Sequence, residues 1–199
     1  MKTVDFLFDF GSPNAYFAHK VIPGIESRTG ATFSYIPVLL GGIFKLTGNQ
    51  APAIAFANIK NKLPYEMAET RRFIAKHHIT EFNFNPNFPV NTLALMRMAV
   101  AADKAGYLPR YANAVFHHMW EAPKKMDDPA VIRAALAESG LDAEALIAAA
   151  QTPEVKQGLM DNTEKAVARG AFGSPTFFVG DEMYFGKNTL RDVEDALAA

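Results

Sequence analysis

The chain has 199 residues, a formal net charge of −1 and a hydrophobic content of 49%. This composition can build one domain, or one domain carrying a large insertion, and does not indicate disorder. A nearly neutral chain gives no electrostatic case for binding nucleic acid or a membrane surface. Because there is no cysteine, disulfides, thiolate metal ligands and a protein thiol nucleophile are excluded.

The first residues, Met1 to Phe6, enter an apolar strand directly and lack the charged leader and apolar core of a signal peptide. No apolar run approaches the roughly 20 residues that span a bilayer. We therefore expect a soluble cytoplasmic protein with no membrane contact.

The N-terminal pattern predicts a strand over about residues 3–10, a helix over 13–28 and a second strand over 32–38. Apolar residues fill both alternating sets of the first strand, as expected for a strand covered on both faces. Gly11 breaks this strand, Ser12 is a strong N-cap residue, and Pro13 suits the first turn of a helix. The three elements predict a parallel βαβ unit.

The rest of the chain predicts a helical middle and a β-containing end. The predicted helices cover about 41–49, 65–77, 93–105, 109–120, 131–138, 142–150 and 154–169. Strands at 175–179 and 182–185, joined by a Gly180-Asp181 turn, precede a helix at 190–197. We predict an α/β fold in which residues 1–40 and 172–199 form one βαβ plus ββα domain, and residues 41–171 form an all-helical insertion.

Five segments carry a resemblance to a known family. They are Phe8-Asp-Phe-Gly-Ser-Pro-Asn-Ala-Tyr16, Gly41-Gly-Ile-Phe-Lys-Leu-Thr-Gly-Asn49, Lys62 with Tyr65, Gly170-Ala-Phe-Gly-Ser-Pro175, and Phe185-Gly186. In this order, from about residue 4 to residue 197, the chain resembles the 2-hydroxychromene-2-carboxylate isomerases and the kappa-class glutathione transferases. The resemblance implies a thioredoxin-like fold with an inserted helical domain, as in periplasmic disulfide oxidoreductases. Those enzymes have Cys-x-x-Cys where this chain has Ser12-Pro13-Asn14-Ala15, so disulfide chemistry is excluded.

The resemblance implies glutathione as the cofactor, with its sulfur near Ser12 as the catalytic residue. A helix N-terminus lowers the pKa of a thiol, and a hydroxyl that donates a hydrogen bond to the thiolate favours the charged form. The local sequence alone favours a simpler hypothesis, in which Ser12 only caps its helix.

The same resemblance predicts the residues that bind the cofactor. A cis proline at position 175 would present the backbone of Ser174 to the glutathione peptide, whereas an ordinary trans proline is the alternative from base rates. Glutathione has two carboxylates, which a lysine and an amide can complement; Lys60 competes with Lys62 for this role. The predicted cofactor-binding residues are Asn49, Lys62, Ser174, Pro175, Lys187 and Asn188.

The segment Lys187-Asn188-Thr189 departs from the family, which usually has an aspartate followed by an arginine there. In the family that aspartate would pair with the γ-glutamyl amine, and Asn188 cannot supply its charge. A carboxylate elsewhere, such as Asp181 or one from a partner subunit, would then be needed.

Three functions remain open. The leading hypothesis is a glutathione-dependent isomerase of 2-hydroxychromene-2-carboxylate or a related aromatic pyruvate adduct, in which thiolate addition, ring opening, rotation and elimination involve no redox change. The alternatives are a kappa-class-like transferase or peroxidase, and a non-catalytic binding module. The resemblance also implies a small aromatic substrate and a homodimer. The five histidines have no His-x-x-x-His spacing, so we expect no metal site, and we expect Tyr111, Phe116 and Trp120 to be core residues.

Overall fold

The computed structural model describes residues 2–198, which form four strands and ten α-helices. The strands are β1 (Thr3–Phe8), β2 (Thr32–Pro37), β3 (Thr176–Val179) and β4 (Glu182–Phe185). The helices are α1 (Pro13–Thr29), α2 (Leu40–Thr47), α3 (Pro52–Ala55), α4 (Lys62–Lys76), α5 (Leu93–Lys104), α6 (Leu108–Trp120), α7 (Pro129–Glu138), α8 (Ala143–Ala149), α9 (Pro153–Ala168) and α10 (Leu190–Ala198). A 3₁₀ turn, Lys187–Thr189, precedes α10. No helix in residues 2–198 is long and apolar enough to cross a membrane.

The strands form one mixed sheet in the order β2-β1-β3-β4. β1 and β2 are parallel, with Phe6 opposite Tyr35, whereas β3 is antiparallel to both β1 and β4. The predicted βαβ and ββα units therefore share a single sheet, and the predicted fold class is confirmed.

β1 is central because its side chains are buried on both faces of the sheet. Phe6 and Phe8 point into the large core beneath α1, and the Phe6 ring stacks on Phe177 at 5.3 Å. Leu7 points to the opposite face and packs with Phe178 beside α9. Burying an aromatic or aliphatic side chain contributes about 1.5–3 kcal/mol, so Phe6, Leu7 and Phe8 stabilise the packing on both faces of the sheet.

The helical segment packs against the sheet through α6, which contacts the end of β1. The Phe8 and Phe10 rings lie 5.9 Å and 4.8 Å from Phe116 of α6, and Trp120 Nε1 donates to the Phe10 carbonyl at 2.8 Å. Tyr111 is fully buried. Thus Tyr111, Phe116 and Trp120 are core residues, as predicted. The division of the chain at residues 40 and 172 stays a prediction.

Two details of the middle segment differ from the predictions. α4 begins at Lys62, three residues before the predicted start, with Pro64 inside its first turn. Proline is tolerated there because the first N–H groups of a helix have no intrahelical partner. The four-residue helix α3 (Pro52–Ala55) was not predicted, because one turn is too short to show a 3.6-residue period.

Candidate active site

Ser12 lies at the junction between β1 and α1, where it is 4% exposed. Its backbone is extended, and its Oγ accepts a hydrogen bond from the Ala15 N–H at 3.2 Å, so the predicted N-cap is confirmed. The same hydroxyl donates to the Ser174 carbonyl at 2.9 Å. Ser12 therefore both caps α1 and joins the end of the helix to the loop before β3.

That loop contains the predicted cis proline. The Ser174–Pro175 peptide bond is cis, and Ser174 Oγ accepts from the Asp9 N–H at 3.2 Å. The Pro175 carbonyl accepts from the Gly186 N–H at 2.9 Å. The fold thus brings together Ser12 and Ser174, which are 162 positions apart. The polar backbone of this loop lies beside the N-terminus of α1.

Asp9 is a site residue that the sequence reasoning missed. Its carboxylate is buried and accepts from the N–H groups of Gly11 and Leu40, each at 2.8 Å. Burial raises the pKa of Asp9, and the hydrogen bonds from Leu40, Gly11 and Thr92 oppose that shift. Asp9 therefore ties the Ser12 turn to the first residue of α2 and to Thr92, the N-cap residue of α5. A charged residue within an otherwise apolar strand end was the signal available in the sequence.

Gly11 leaves little room for a side chain between Asp9 and Thr92. A Cβ at this position would lie 3.3 Å from both Asp9 Oδ1 and Thr92 Cγ2. A larger residue would require Asp9 or Thr92 to shift by a few tenths of an ångström.

Asn49 lies close to the proline loop. Gly48 ends α2 in the left-handed conformation, with φ at 71°, and turns the chain so that Asn49 Nδ2 donates to the Phe172 carbonyl at 2.7 Å. Asn49 is exposed. Its partner, Phe172, is two residues before Ser174 in the chain. The geometry brings Asn49 into the same region as Ser12, Ser174 and Pro175.

Lys62 makes no hydrogen bond to these residues. Its ammonium pairs with Glu66 at 2.6 Å and lies 4.8 Å from the Phe56 ring centre. The side chain is about one-third exposed, so the ammonium remains reachable from solvent.

Lys187 is largely buried and paired. It is 5% exposed, and its ammonium contacts Glu69 of α4 and lies 5.2 Å from the Phe73 ring centre. The neighbouring Asn188 is exposed. Sequence reasoning did not single out Glu69, because the contact joins positions that are 118 residues apart.

Asn188 and Glu69 line a cleft of 390 Å³ between α1, α4 and α10. The floor contains Val21, Ile25, Phe73 and Leu190. The charged lining residues carry both signs, with basic residues in excess: Arg28, Arg72, Lys76, Lys187 and Arg191 against Glu69 and Glu194.

A second cavity, of 280 Å³, lies between α2, α5 and α9. Its walls include Leu39 and Leu93, which adjoin Leu40 and Thr92, the residues that contact Asp9. The remaining apolar lining residues are Leu46, Leu159 and Met160, and the charged ones are three cations, Lys45, Arg97 and Lys156, against one acid, Glu164. Apolar walls with cations in excess suit an aromatic molecule that carries a carboxylate.

The histidines lie at three places in the chain: His19, the pair His77-His78 and the pair His117-His118. Burial lowers the pKa of His19 to about 4, and its Nδ1 lies 2.8 Å from the Tyr35 hydroxyl. Within residues 2–198, no three His, Asp or Glu side chains are grouped so that they could hold a metal ion.

A mixed four-stranded sheet with a cis proline beside the N-terminus of the first helix defines a thioredoxin-fold protein, here with serine in place of the cysteine pair. Residues 3–198 match the family described as DSBA-like thioredoxin domain. The chain belongs to this family.

Similar proteins confirm the resemblance seen in the motifs. A 2-hydroxychromene-2-carboxylate isomerase of Sphingobium xenophagum is 30% identical over 98% of both chains. The human glutathione S-transferase kappa 1 is 26% identical over 87% of this chain and 79% of its own. A solved structure of a 2-hydroxychromene-2-carboxylate isomerase is 26% identical, covers 98% of this chain and 94% of its own, and superposes with a TM-score of 0.84.

Proposed function

We propose that this chain is a glutathione-dependent isomerase of 2-hydroxychromene-2-carboxylate, or of a related aromatic pyruvate adduct, in aromatic catabolism. The observation that carries the proposal is the Ser12 hydroxyl, at the first turn of α1 and 2.9 Å from the Ser174 carbonyl. A ligand sulfur delivered there would meet a helix N-terminus and a hydroxyl donor, which both favour a thiolate.

Glutathione has two carboxylates, one ammonium and a thiol, and several residues of the chain offer partners for these groups. Asn49 and Lys62 are donors for a carboxylate, and the 390 Å³ cleft beside Asn188 holds charges of both signs. The backbone of Ser174 and the ring of Pro175 would receive the cysteinyl part. The absence of cysteine means that no protein thiol competes for the site.

Ser12 has to change partner to assist the reaction. Its hydrogen now points to the Ser174 carbonyl, and a rotation about the Cβ–Oγ bond would direct it to a sulfur while the Ala15 N–H still donates to Oγ. Bound glutathione would supply a thiolate that adds to the conjugated substrate and leaves unchanged, so that a carbon–carbon bond can rotate with no net oxidation. Ser12 and the N–H groups of α1 would stabilise the negative charge on the sulfur.

The 280 Å³ cavity is the proposed location of the aromatic substrate. Leu39, Leu93 and Leu159 supply apolar walls, and Lys45 or Arg97 would pair with the substrate carboxylate. Asp9 contacts Leu40 and Thr92 beside the Ser12 turn, and the adjacent residues Leu39 and Leu93 line the cavity. Asp9 therefore fixes the position of one wall of the cavity relative to the proposed sulfur site.

The test is an ultraviolet assay with the protein, glutathione and 2-hydroxychromene-2-carboxylate. We expect a spectral change toward the ring-opened trans isomer that requires both protein and glutathione, while the glutathione concentration stays constant. No glutathione-dependent change would contradict the proposal.

The similarity to the human kappa-class enzyme favours a second candidate, a transferase that leaves glutathione attached to an electrophile. Mass spectrometry of the products distinguishes the two, because only a transferase gives an adduct. A non-catalytic binding module is the third candidate, and glutathione that fails to bind at millimolar concentration in calorimetry would favour it. The cytoplasmic location and the homodimer stay predictions.

A further inference from the structure

The γ-glutamyl end of glutathione carries an ammonium, which needs a carboxylate partner. The 187–188 segment adjoins the proline loop, because the Gly186 N–H donates to the Pro175 carbonyl. Neither Lys187 nor Asn188 can supply a negative charge. The acid that reaches this segment is Glu69, whose Oε2 contacts the Lys187 ammonium.

Glu69 can accept a second ammonium. Its other carboxylate oxygen, Oε1, accepts no hydrogen bond from residues 2–198, and its side chain is 21% exposed and lines the 390 Å³ cleft beside Asn188. A carboxylate has about four acceptor positions, and the contact with Lys187 leaves most of them open. Lys187 is thus placed to hold the Glu69 side chain in one orientation.

The spacing along α4 fits the length of the ligand. Lys62 and Glu69 are seven residues apart and lie on one face of the helix together with Glu66 and Phe73. Seven residues of an α-helix rise about 10.5 Å, and an extended tripeptide spans about 10 Å. Lys62 could therefore pair with the glycyl carboxylate while Glu69 pairs with the ammonium at the other end.

Glu194 also lines the cleft, but both of its carboxylate oxygens accept from Arg28, at 2.6 Å and 3.0 Å. A further acid, Asp181, lies at the wrong end of the β3–β4 hairpin. Thr176 pairs with Phe185 beside the proline loop, whereas Val179 pairs with Glu182 next to Asp181. The two ends are three residue steps apart, or about 10 Å.

We propose that Glu69 is the residue that recognises the γ-glutamyl ammonium of glutathione, with Lys187 as a positioning residue that holds its carboxylate. Asn188 donates to the neighbouring γ-glutamyl carboxylate. This assignment rests on the proposed use of glutathione, and it predicts selectivity for ligands that retain the free amine.

The experiment is calorimetry with two ligands, glutathione and its analogue without the amine, glutaryl-cysteinyl-glycine. The wild-type protein should bind glutathione tenfold or more tightly than the analogue, because hydrogen bonds to charged groups are strong. Glu69→Gln should lose this preference and bind both ligands equally. Because Glu69→Gln leaves Lys187 buried without a partner, the double variant Glu69→Gln/Lys187→Met is measured too, and should also show no preference.

Asp181→Asn is the matched control and should keep the wild-type preference. If the wild type and both Glu69 variants prefer glutathione by the same factor, the role of Glu69 is wrong while glutathione use stands. The same role is overturned if only Asp181→Asn loses the preference. If the wild type binds neither ligand at millimolar concentration, the use of glutathione and the role of Glu69 both fail.

Discussion

Ser12 carries two hydrogen bonds through one hydroxyl group, and the proposed chemistry requires only one of them to change. The bond from Ala15 N–H stabilises α1, whereas the bond to the Ser174 carbonyl uses the hydrogen that a thiolate would need. The competition between capping and activation therefore concerns only the donated hydrogen, because the accepted bond can persist.

Ser12→Ala should lower turnover by a factor of about ten to a hundred, since a donor to a charged group contributes about 1.5–3 kcal/mol. It should also raise the pKa of bound glutathione, visible as an alkaline shift in the pH profile of turnover. Stability should fall by about 1 kcal/mol, because a cap is lost.

Thr152→Ala is the matched control for Ser12→Ala. Thr152 Oγ1 also accepts from a first-turn amide, Val155 N–H, and donates to the Ala149 carbonyl. We expect a similar loss of stability with unchanged turnover. Wild-type turnover in Ser12→Ala would contradict the role of Ser12.

Asp9→Asn should destabilise the fold by about 1–3 kcal/mol, since one face of the amide would present a donor to the N–H of Gly11 or Leu40 and leave it unpaired. The measurement is urea unfolding from pH 4 to pH 7. Burial raises the pKa of Asp9 in the folded state, so the folded carboxyl keeps its proton after the unfolded one has lost it. The free energy of unfolding of the wild type therefore falls as pH rises above about 4. Its stability advantage over Asp9→Asn should shrink over the same range.

An advantage of the wild type over Asp9→Asn that grows with pH in this range would contradict the raised pKa. Asp181→Asn, at an exposed turn position, should leave the unfolding free energy unchanged at every pH.

At the scale of elements, the contact of α1 with β2 contains a titratable group. His19 of α1 approaches the Tyr35 hydroxyl of β2 and stacks on Phe116 at 4.8 Å between ring centres. The imidazole is held neutral, because burial lowers its pKa to about 4. This contact therefore depends on pH in a range where most carboxylates are already charged.

His19→Gln should remove part of the acid sensitivity of the protein. A histidine whose pKa falls from 6.5 to about 4 on folding contributes stability above pH 6.5 that is lost as pH falls toward 4, by up to about 3 kcal/mol. Urea unfolding at pH 7 and pH 4.5 should show a smaller difference for His19→Gln than for the wild type. His78→Gln, on an exposed residue, should retain the full difference in unfolding free energy between the two pH values. An equal difference in all three proteins would refute the prediction.

The elements themselves were predictable where their pattern is local. Alternating phenylalanines and the Ser12-Pro13 pair gave β1 and α1 closely, and Thr176–Val179 and Glu182–Phe185 followed from the Gly180 turn. The start of α4 and the whole of α3 were not predictable, since mixed composition over residues 51–63 gives no period.

The site was predictable only at residues that belong to the family's sequence motifs. The contact of Ser12 with Ser174 agrees with the expected neighbourhood of helix N-terminus and cis proline. By contrast, the burial of Lys187 depends on Glu69, and the role of Asp9 depends on Leu40 and Thr92. Such contacts are set by tertiary packing, which a one-dimensional pattern does not encode.

At the scale of the whole molecule, the sheet and the helical segment share one core. A single cluster of buried side chains runs from Val4 and Phe6 in β1 to Ile132 and Leu146 in α7 and α8. Trp120 spans the two parts, since its ring lies in the helical segment and its N–H donates to the Phe10 carbonyl. Neither part buries its apolar face without the other.

This shared core predicts one cooperative unfolding transition. Phe6→Leu, in a strand side chain that packs on Tyr35 and Phe177, should cost about 1–2 kcal/mol through the lost volume. Because the core is continuous, the loss should appear equally in far-ultraviolet circular dichroism and in the fluorescence of Trp120, the single tryptophan of the chain. If the fluorescence midpoint stayed at its wild-type value while the circular dichroism midpoint fell, the sheet and the helical segment would unfold independently, and residues 41–171 would be a separate folding unit.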